Sequence, residues 1–309
     1  MDVTEKKISI FSLPVIVAAL GYFVDIYDLL LFTIVKKTSM LGVGSTEATL
    51  LVDSTRVINW QMTGLLLGGI IWGVLADKKG RLSVLFGSII LYSTANFATG
   101  FVTSVDQYAW ARFIGGLGLA GELGAGITLV SELLPKNKRG VGTSLVAGIG
   151  LFGAVAAYFT YQYTQDWRLC YKIGGVLGIC LLLLRVKVAE SGMFAAAKAS
   201  EVVKGNFFML INNGKRFKKY FVAILIGLPT WYVIGILLNQ SDRFGKAMFN
   251  STTIDSGRAI MFGYIGIAVG DILIGLVSQY FKSRKKALLL FYGFTLLGLI
   301  FYFSGYNNS

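Results

Sequence analysis

The sequence predicts an all-α, polytopic membrane protein, and three observations support this prediction. Hydrophobic residues make up 55% of its 309 residues and charged residues only 15%, a larger apolar share than water-soluble domains have. Apolar runs of about 20 residues, the length that an α-helix needs to cross a bilayer core about 30 Å thick, recur along the chain. The short segments of alternating apolar and polar residues that are typical of membrane β-barrels do not occur in the sequence.

Nine apolar runs are long enough to be membrane spans. One long polar interval separates the first six from the last three, so we expect a six-helix bundle over residues 1–188, a cytoplasmic linker over 189–218 and three helices of a second bundle over 219–309. The linker serves either as a simple connection or as an anchor to anionic lipid headgroups. The predicted spans cover residues 11–36, 57–76, 83–103, 108–134, 141–163, 169–188, 219–239, 257–279 and 287–305.

Lysine and arginine are concentrated in every second loop. Groups of them lie at 6–7, 78–81, 136–139, 185–219 and 282–286. By the positive-inside rule, these loops and the N-terminus are cytoplasmic. We expect a multi-pass protein of the cell (inner) membrane that acts as a monomer. The first span lacks the cleavage site of a leader peptide, so we expect it to be retained. Because the basic residues lie in short loops beside spans, the net charge of +13 does not indicate nucleic-acid binding.

The residue types argue against an enzyme and against a cofactor. The chain has no histidine, and its two cysteines, Cys170 and Cys180, lie within one apolar segment, which disfavours a disulfide or a metal site. No nucleophile and base lie within reach of one another by sequence. Proton chemistry would therefore fall to carboxylates, tyrosines or lysines.

Glycines at a spacing of four residues recur within the spans. Such pairs allow helix backbones to approach closely in lipid, so we interpret them as packing contacts between helices. The pairs are Gly64 with Gly68, Gly69 with Gly73, Gly174 with Gly178, and Gly266 with Gly270.

Several motifs in a fixed order resemble those of the major facilitator superfamily, and within it the metabolite:proton symporters. The loop after the second span resembles the pattern G-x-L-A-D-R-x-G-R-K/R, and the first span resembles G-x-x-x-D/E-x-Y/W-D. The fourth span resembles R-x-x-x-G-x-x-x-G-G-E followed by an acid, a proline and R-G, with Ala120 in place of the first glycine of G-G-E. The sixth span opens on the family's W-R and ends on its E-S/T-x-x-F. The matching residues are Gly73, Leu75, Asp77, Gly80, Arg81, Gly21, Asp25, Tyr27, Asp28, Arg112, Gly116, Gly121, Glu122, Glu132, Pro135, Arg139, Gly140, Trp167, Arg168, Glu190, Ser191 and Phe194.

The resemblance implies a twelve-helix carrier that works by alternating access, of which this chain would hold nine helices. It also implies roles in conformational gating for a set of residues in the cytoplasmic loops. Asp77 normally faces the end of the eleventh helix, so we expect it to lack that partner here. The gating set comprises Gly73, Asp77, Gly80, Arg81, Glu132 and Arg139.

Four ionisable residues lie deep within the spans. Asp25 and Asp28 share one face of the first helix, at about 100° per residue. At about 1.5 Å per residue, Arg112 in the fourth span reaches the depth of Asp28, and Glu122 the depth of Asp25. We therefore expect an Asp28–Arg112 pair above an Asp25/Glu122 cluster, and the resemblance implies that both helices line a central path.

An ionised carboxylate at this depth costs several kcal/mol unless it is wet, paired or protonated. One hypothesis is that Asp25 or Glu122 holds a proton near neutral pH and releases it when the path opens to the cytoplasm. The alternatives are a static ion-pair network and a site for a cationic substrate. Arg112, interpreted as the only deep cation, favours an anionic solute.

Further residues are candidates for the substrate cavity or, equally, for ordinary helix packing. Pro229 frees a backbone carbonyl and kinks the seventh span, so that neighbouring aromatic side chains can point at a ligand. The cavity candidates are Tyr22, Tyr27, Gln61, Asn96, Trp231, Tyr232 and Asp271.

The predicted function is proton-coupled transport (symport) of a small organic acid or zwitterion. The seventh span lacks the Q-Q-x-x-G-x-N pattern of sugar porters, although a carrier of that kind remains an alternative. The rival interpretation is a truncated, non-transporting remnant or fragment of such a carrier.

Overall fold

The computed structural model describes residues 12–79, 81–134, 139–190, 212–249 and 254–304, and within these ranges all regular structure is helical. Each of the nine predicted spans coincides with a helix, which confirms the predicted fold class. A short tenth helix, α8, was not predicted. The helices are α1 Leu13–Gly42, α2 Leu50–Lys79, α3 Arg81–Thr99, α4 Val105–Leu133, α5 Arg139–Thr164, α6 Trp167–Glu190, α7 Gly214–Tyr232, α8 Ser241–Phe249, α9 Ser256–Tyr280 and α10 Arg284–Ser304.

The helix ends follow local sequence signals. Pro14 lies in the first turn of α1, where no backbone N–H is needed. The side chains of Ser104, Asn213 and Asp255 accept hydrogen bonds from backbone N–H groups in the first turns of α4, α7 and α9, as N-cap residues do. Residues 191–211, the central part of the predicted linker, lie outside the described ranges.

The first six helices pack around α1, the most deeply buried span. α1 contacts α4, α5 and α6, while α3 packs on α4 and α6. The predicted glycine contact is confirmed between α2 and α4: a Cβ at Gly68 would lie only 2.9 Å from the Leu117 Cα. Gly69, Gly73, Gly266 and Gly270 have no described atom within 4 Å of such a Cβ, so the packing prediction is wrong for them within the described chain.

The later helices are more exposed than the first six. α9 packs against α5 and α1, whereas α7 has no buried residue and α10 only Ala287. The Tyr292 hydroxyl of α10 donates to the Ile226 carbonyl of α7. Directly after the turn that contains Pro229, α7 continues as a π-helix over Val233–Leu238.

The bundle has two ends, and polar contacts join the two parts of the chain at one of them. We name these the outer end, with the α1–α2 loop, and the inner end, with the α9–α10 loop, as the charge distribution predicts. At the outer end, the buried Lys36 ammonium donates to the Asn239 carbonyl at 2.9 Å and to the Asp242 carboxylate at 3.4 Å. Ser256 donates to the same carboxylate oxygen at 2.7 Å. These bonds join the end of α1 to α8 and to the start of α9.

Candidate functional site: a buried polar column in the first six helices

The four deep charges predicted from the sequence all lie inside the six-helix bundle. Asp25 and Asp28 on α1 are 4% and 0% exposed, and Arg112 and Glu122 on α4 are 0% and 2% exposed. None of these four side chains therefore faces the apolar outer surface. Together with polar residues of α3 and α6, they form what we call the polar column.

At its outer level, the polar column centres on the Arg112 guanidinium. Nη1 of Arg112 donates to the Asp28 backbone carbonyl at 3.4 Å, and Nη2 donates to Oδ1 of Asn96. The Arg112 Cζ also lies 4.8 Å from the centre of the Tyr171 ring, within the range of a cation–π contact. The predicted Asp28–Arg112 contact therefore forms, but through the backbone of Asp28.

The Asp28 carboxylate lies against α6 instead. A Cβ at Gly174 would overlap its Oδ1, so the glycine makes room for the carboxylate. The Asn96 side chain interacts with this carboxylate, although Asn96 Nδ2 and both Asp28 oxygens lack a hydrogen bond of regular geometry. The predicted Asp28–Arg112 pair therefore rests on electrostatic attraction and on the Asp28 backbone carbonyl, while Asn96 occupies the other arm of the guanidinium.

At the inner level, Glu122 forms an ion pair that the sequence did not predict. Arg185 of α6 holds both carboxylate oxygens: Nη1 lies 2.7 Å from Oε2, and Nη2 donates to Oε1. The Arg185 side chain is only 6% exposed. Two predictions are therefore wrong: Arg185 is not a cytoplasmic loop residue, because α6 extends to Glu190, and Arg112 is not the only deep cation.

The pair fits against α1 because position 21 is a glycine. A Cβ at Gly21 would overlap the Arg185 guanidinium and lie 2.5 Å from the Glu122 carboxylate. The bidentate geometry is the strong form of an arginine–carboxylate bond. Glu122 therefore has a fixed counter-charge at this depth.

Asp25 lies near this pair but outside it. Its carboxylate interacts electrostatically with Glu122, Arg185 and Asp28. Neither Asp25 oxygen has a hydrogen-bond partner in the described chain. The expected Asp25/Glu122 cluster thus forms, with the difference that only Glu122 is neutralised by a direct partner.

Two residues of α3 that the sequence analysis missed complete the polar column. Ser93 and Tyr92 are 1% and 0% exposed, and neither hydroxyl makes a hydrogen bond within the described chain. Both border Gly178 of α6, since a Cβ there would overlap the Ser93 hydroxyl and lie 3.1 Å from the Tyr92 ring. No sequence signal separates these hydroxyls from other polar residues in apolar helices.

Three of the predicted cavity residues serve as packing elements. The Tyr27 hydroxyl donates to the Cys170 carbonyl at 3.0 Å, and Gln61 Nε2 donates to the Leu29 carbonyl at 3.2 Å. The half-buried Tyr22 packs against α5, where a Cβ at Gly150 would overlap its ring. Asn96 differs from these three, because it belongs to the polar column.

The predicted cavity residues of the later helices lie away from the polar column. Trp231 and Tyr232 are 54% and 41% exposed. Asp271 lines a cavity of about 430 Å³ towards the inner end, between α5, α9 and the start of α10. Ser144 and Arg284 also line this cavity, so Asp271 shares it with a basic side chain.

The predicted gating residues are only partly described. A Cβ at Gly73 would meet no described atom within 4 Å. Asp77 lies in the last turn of α2 and takes part in an interaction within the chain. Gly80 and the side chains of Arg81, Glu132 and Arg139 lie outside the described part of the structure. Their gating roles stay predictions.

The fold and the polar column define the class of the protein. Seven helices in the described ranges are long and apolar enough to cross a membrane, and buried charges lie inside the bundle that they form. Ionisable residues within membrane spans mark ion or substrate pathways. The class is that of helical membrane transporters.

The chain belongs to the Major Facilitator Superfamily, because the sequence model of that family matches residues 12–309. It is 32% identical over 179 residues to the niacin transporter NiaP of Acinetobacter baylyi, an alignment that covers 57% of this chain and 40% of NiaP. It is 25% identical over 307 residues to the sialic acid transporter NanX of Escherichia coli, covering 92% of this chain and 74% of NanX. The chain therefore matches less than half of the length of NiaP.

The fold is similar to that of a solved member of the family. The proton:xylose symporter XylE superposes with a TM-score of 0.64 at 15% identity, over 87% of this chain and 69% of XylE. At this identity the likeness concerns the fold alone. NiaP, NanX and XylE are transporters and not enzymes, which agrees with the prediction from the residue types.

Proposed function

We propose that the protein is a proton-coupled carrier of small carboxylate-bearing metabolites that works by alternating access. The observation that carries this proposal is the contrast between Glu122, held by Arg185 in a bidentate ion pair, and Asp25, buried with no hydrogen-bond partner. A buried carboxylate without a partner is stable in its neutral, protonated form. Asp25 is therefore the proton-binding residue of the proposal, with Glu122 and Arg185 as its fixed neighbours.

Alternating access is supported by the different contacts at the two ends of the bundle. Lys36 bonds to Asn239 and Asp242 at the outer end, while the 430 Å³ cavity lies towards the inner end and is lined by Asp271 and Arg284. A carrier that is closed outside and open inside has this arrangement. We take the described conformation to be the inward-facing one, from which both proton and solute leave to the cytoplasm.

The solute class rests on relatives and on charge. Related transporters are named for niacin, sialic acid and 4-hydroxybenzoate, all of which carry a carboxylate. In the inner cavity, the Arg284 guanidinium and the Ser144 hydroxyl provide hydrogen-bond donors, which a carboxylate accepts. Asp271 on the same cavity suits a solute that also carries a positive group.

The test uses the full chain in proteoliposomes loaded at a higher internal pH than the bath. We expect uptake of labelled nicotinate, N-acetylneuraminate or 4-hydroxybenzoate to depend on the pH gradient. Asp25→Asn should abolish that dependence. The matched control is Asp106→Asn, which should keep it, because Asp106 and its partner Arg56 are 70% and 50% exposed. Glu122→Gln should mainly lower stability, because it breaks the pair with Arg185.

Two outcomes would contradict the proposal. If Asp25→Asn keeps the full pH dependence of the wild-type protein, the polar column is a static network that orients the helices. If the wild-type chain moves none of these solutes at any gradient, the chain does not act as a carrier of small carboxylates by itself.

A further inference from the structure

The polar column holds an unusual concentration of buried polar atoms that make no hydrogen bond. Within the described residues, twelve buried side-chain nitrogen and oxygen atoms lack a partner, and eight of these belong to the polar column. The eight atoms are both carboxylate oxygens of Asp25 and of Asp28, the hydroxyls of Tyr92 and Ser93, Nδ2 of Asn96 and Nε of Arg112. A buried polar atom that stays unpaired is costly, so their grouping calls for a common partner.

Contacts at two glycines of α6 and electrostatic interactions of Tyr92 connect the residues that carry these atoms. Asp28 faces Gly174, and the Ser93 hydroxyl and Tyr92 ring face Gly178 one turn further along α6, a step of about 6 Å. Tyr92 in turn interacts electrostatically with Asp25 and with Glu122. We take these side chains to form one line, from the Asp28 carboxylate past Ser93 and Tyr92 to the Asp25 carboxylate.

Donors and acceptors both occur along this line, and this mixture decides the chemistry of a partner that fits them. The Arg112 guanidinium and the Asn96 amide can only donate at their free atoms, whereas the carboxylates of Asp25 and Asp28 accept. A metal cation would satisfy the carboxylates but would be repelled by Arg112. Water both donates and accepts, and a buried water makes about three hydrogen bonds. The eight atoms suffice for about two or three such waters.

Resting on the proposed proton coupling, we propose that the polar column binds a short chain of water molecules and that the hydroxyls of Ser93 and Tyr92 relay protons between Asp28 and Asp25. In each step a proton passes from a carboxyl to a neighbouring water oxygen, which gives up one of its own protons to the next oxygen. Each hydroxyl likewise accepts one proton and releases another, so that none changes its net charge. One carboxyl loses a proton and the other gains it.

The charged and titratable groups around this relay come from all four packed helices. They are Tyr22, Asp25, Tyr27 and Asp28 on α1, Tyr92 on α3, Arg112 and Glu122 on α4, and Tyr171 and Arg185 on α6. Arg112 stands at the Asp28 end and Arg185 at the Glu122 end. An excess proton is thus repelled at both ends and confined between the two aspartates.

The variants Ser93→Ala and Tyr92→Phe test the relay, with Ser88→Ala as the matched control. Ser88 is a buried serine on the same helix, but its hydroxyl donates to the Leu85 carbonyl at 3.2 Å. The first measurement needs no solute: infrared spectroscopy of the purified full chain follows hydrogen–deuterium exchange at the protonated carboxyl band. We expect exchange to slow roughly tenfold in Ser93→Ala and in Tyr92→Phe and to keep the wild-type rate in Ser88→Ala.

The second measurement is proton uptake into proteoliposomes after a pH step with nicotinate present, in H₂O and in D₂O. Both relay variants should slow uptake roughly tenfold and change the solvent isotope effect. Ser88→Ala should keep the wild-type rates of proton uptake and of nicotinate exchange. Equal exchange and uptake rates in Ser93→Ala and Ser88→Ala would overturn the relay. If Asp25→Asn loses the carboxyl band and Ser93→Ala keeps it, Asp25 carries the proton, and equal rates then count against the relay alone. If Asp25→Asn keeps the band, the proposed function itself fails.

Discussion

The ion pair between Glu122 and Arg185 makes a sharp prediction about stability. Arg185→Met removes the guanidinium and leaves the Glu122 carboxylate buried at 2% exposure without its counter-charge. Breaking a buried pair by removing one partner costs about 3–5 kcal/mol. For a helical bundle of this size, about 1 kcal/mol corresponds to roughly 2–4 °C in melting temperature. We therefore expect a loss on the order of 10 °C.

The chain offers a matched control and a rescue. Arg56 pairs with Asp106 at 2.7 Å, but the two side chains are 50% and 70% exposed, so that Arg56→Met should cost at most about 1 kcal/mol. The double variant Arg185→Met with Glu122→Met replaces the pair by two apolar side chains, which is close to neutral for buried pairs. It should recover most of the loss.

The assay is a thermal series on the purified chain in one detergent, followed by size-exclusion chromatography of what remains monodisperse. The double-mutant cycle compares the wild-type protein, both single variants and the double variant, and so isolates the coupling energy. The reasoning would be refuted if Arg185→Met had the same melting temperature as Arg56→Met. It would also be refuted if the melting temperature of the double variant were no higher than that of the less stable single variant. Either result would mean that Glu122 does not depend on Arg185 at this depth.

Two further predictions concern the packing around this site and the contact at the outer end. Gly21→Ala should cost about 1–3 kcal/mol, because its methyl overlaps the Arg185 guanidinium. Gly69→Ala, which meets no described atom within 4 Å, should instead gain up to about 1 kcal/mol of helix propensity. Equal melting temperatures of the two variants would contradict this. Lys36→Met leaves the Asp242 carboxylate without its ammonium, and should lengthen the distance between spin labels on the α1–α2 loop and on α8, which an unchanged distribution would disprove.

Much of the fold followed from hydropathy, because a membrane span needs about 20 apolar residues and each such run could be counted. The depths of the charges followed from the rise of the helix, which put Arg112 level with Asp28 and Glu122 level with Asp25. The short helix α8 escaped this reasoning, since nine residues, Ser241–Phe249, give no membrane-length signal. Its position over the end of α1 is a tertiary property.

The partner of Glu122 could not be read from the sequence for a related reason. Arg185 stands among the basic residues that end the sixth span, and the positive-inside rule assigns such residues to a loop. A long arginine side chain at a helix end can point either to the membrane surface or into the bundle. Only the packing of α6 on α1, with glycine at position 21, decides in favour of the interior.

The glycine pairs show most clearly where a sequence pattern is ambiguous. Gly64 and Gly68 lie against the backbone of α4, as helix packing requires, whereas Gly174 and Gly178, at the same spacing, border the Asp28 carboxylate and the Ser93 hydroxyl. A Cβ at either of the last two positions would take the volume that the polar group occupies. The two uses differ only in what stands opposite the glycine, which is a backbone in one case and a polar side chain at the same depth in the other. A glycine pair that faces an ionisable residue of equal depth therefore predicts room for a buried charge. Comparing depths along the helices, as was done for Arg112 and Asp28, can separate such a pair from a packing pair by sequence.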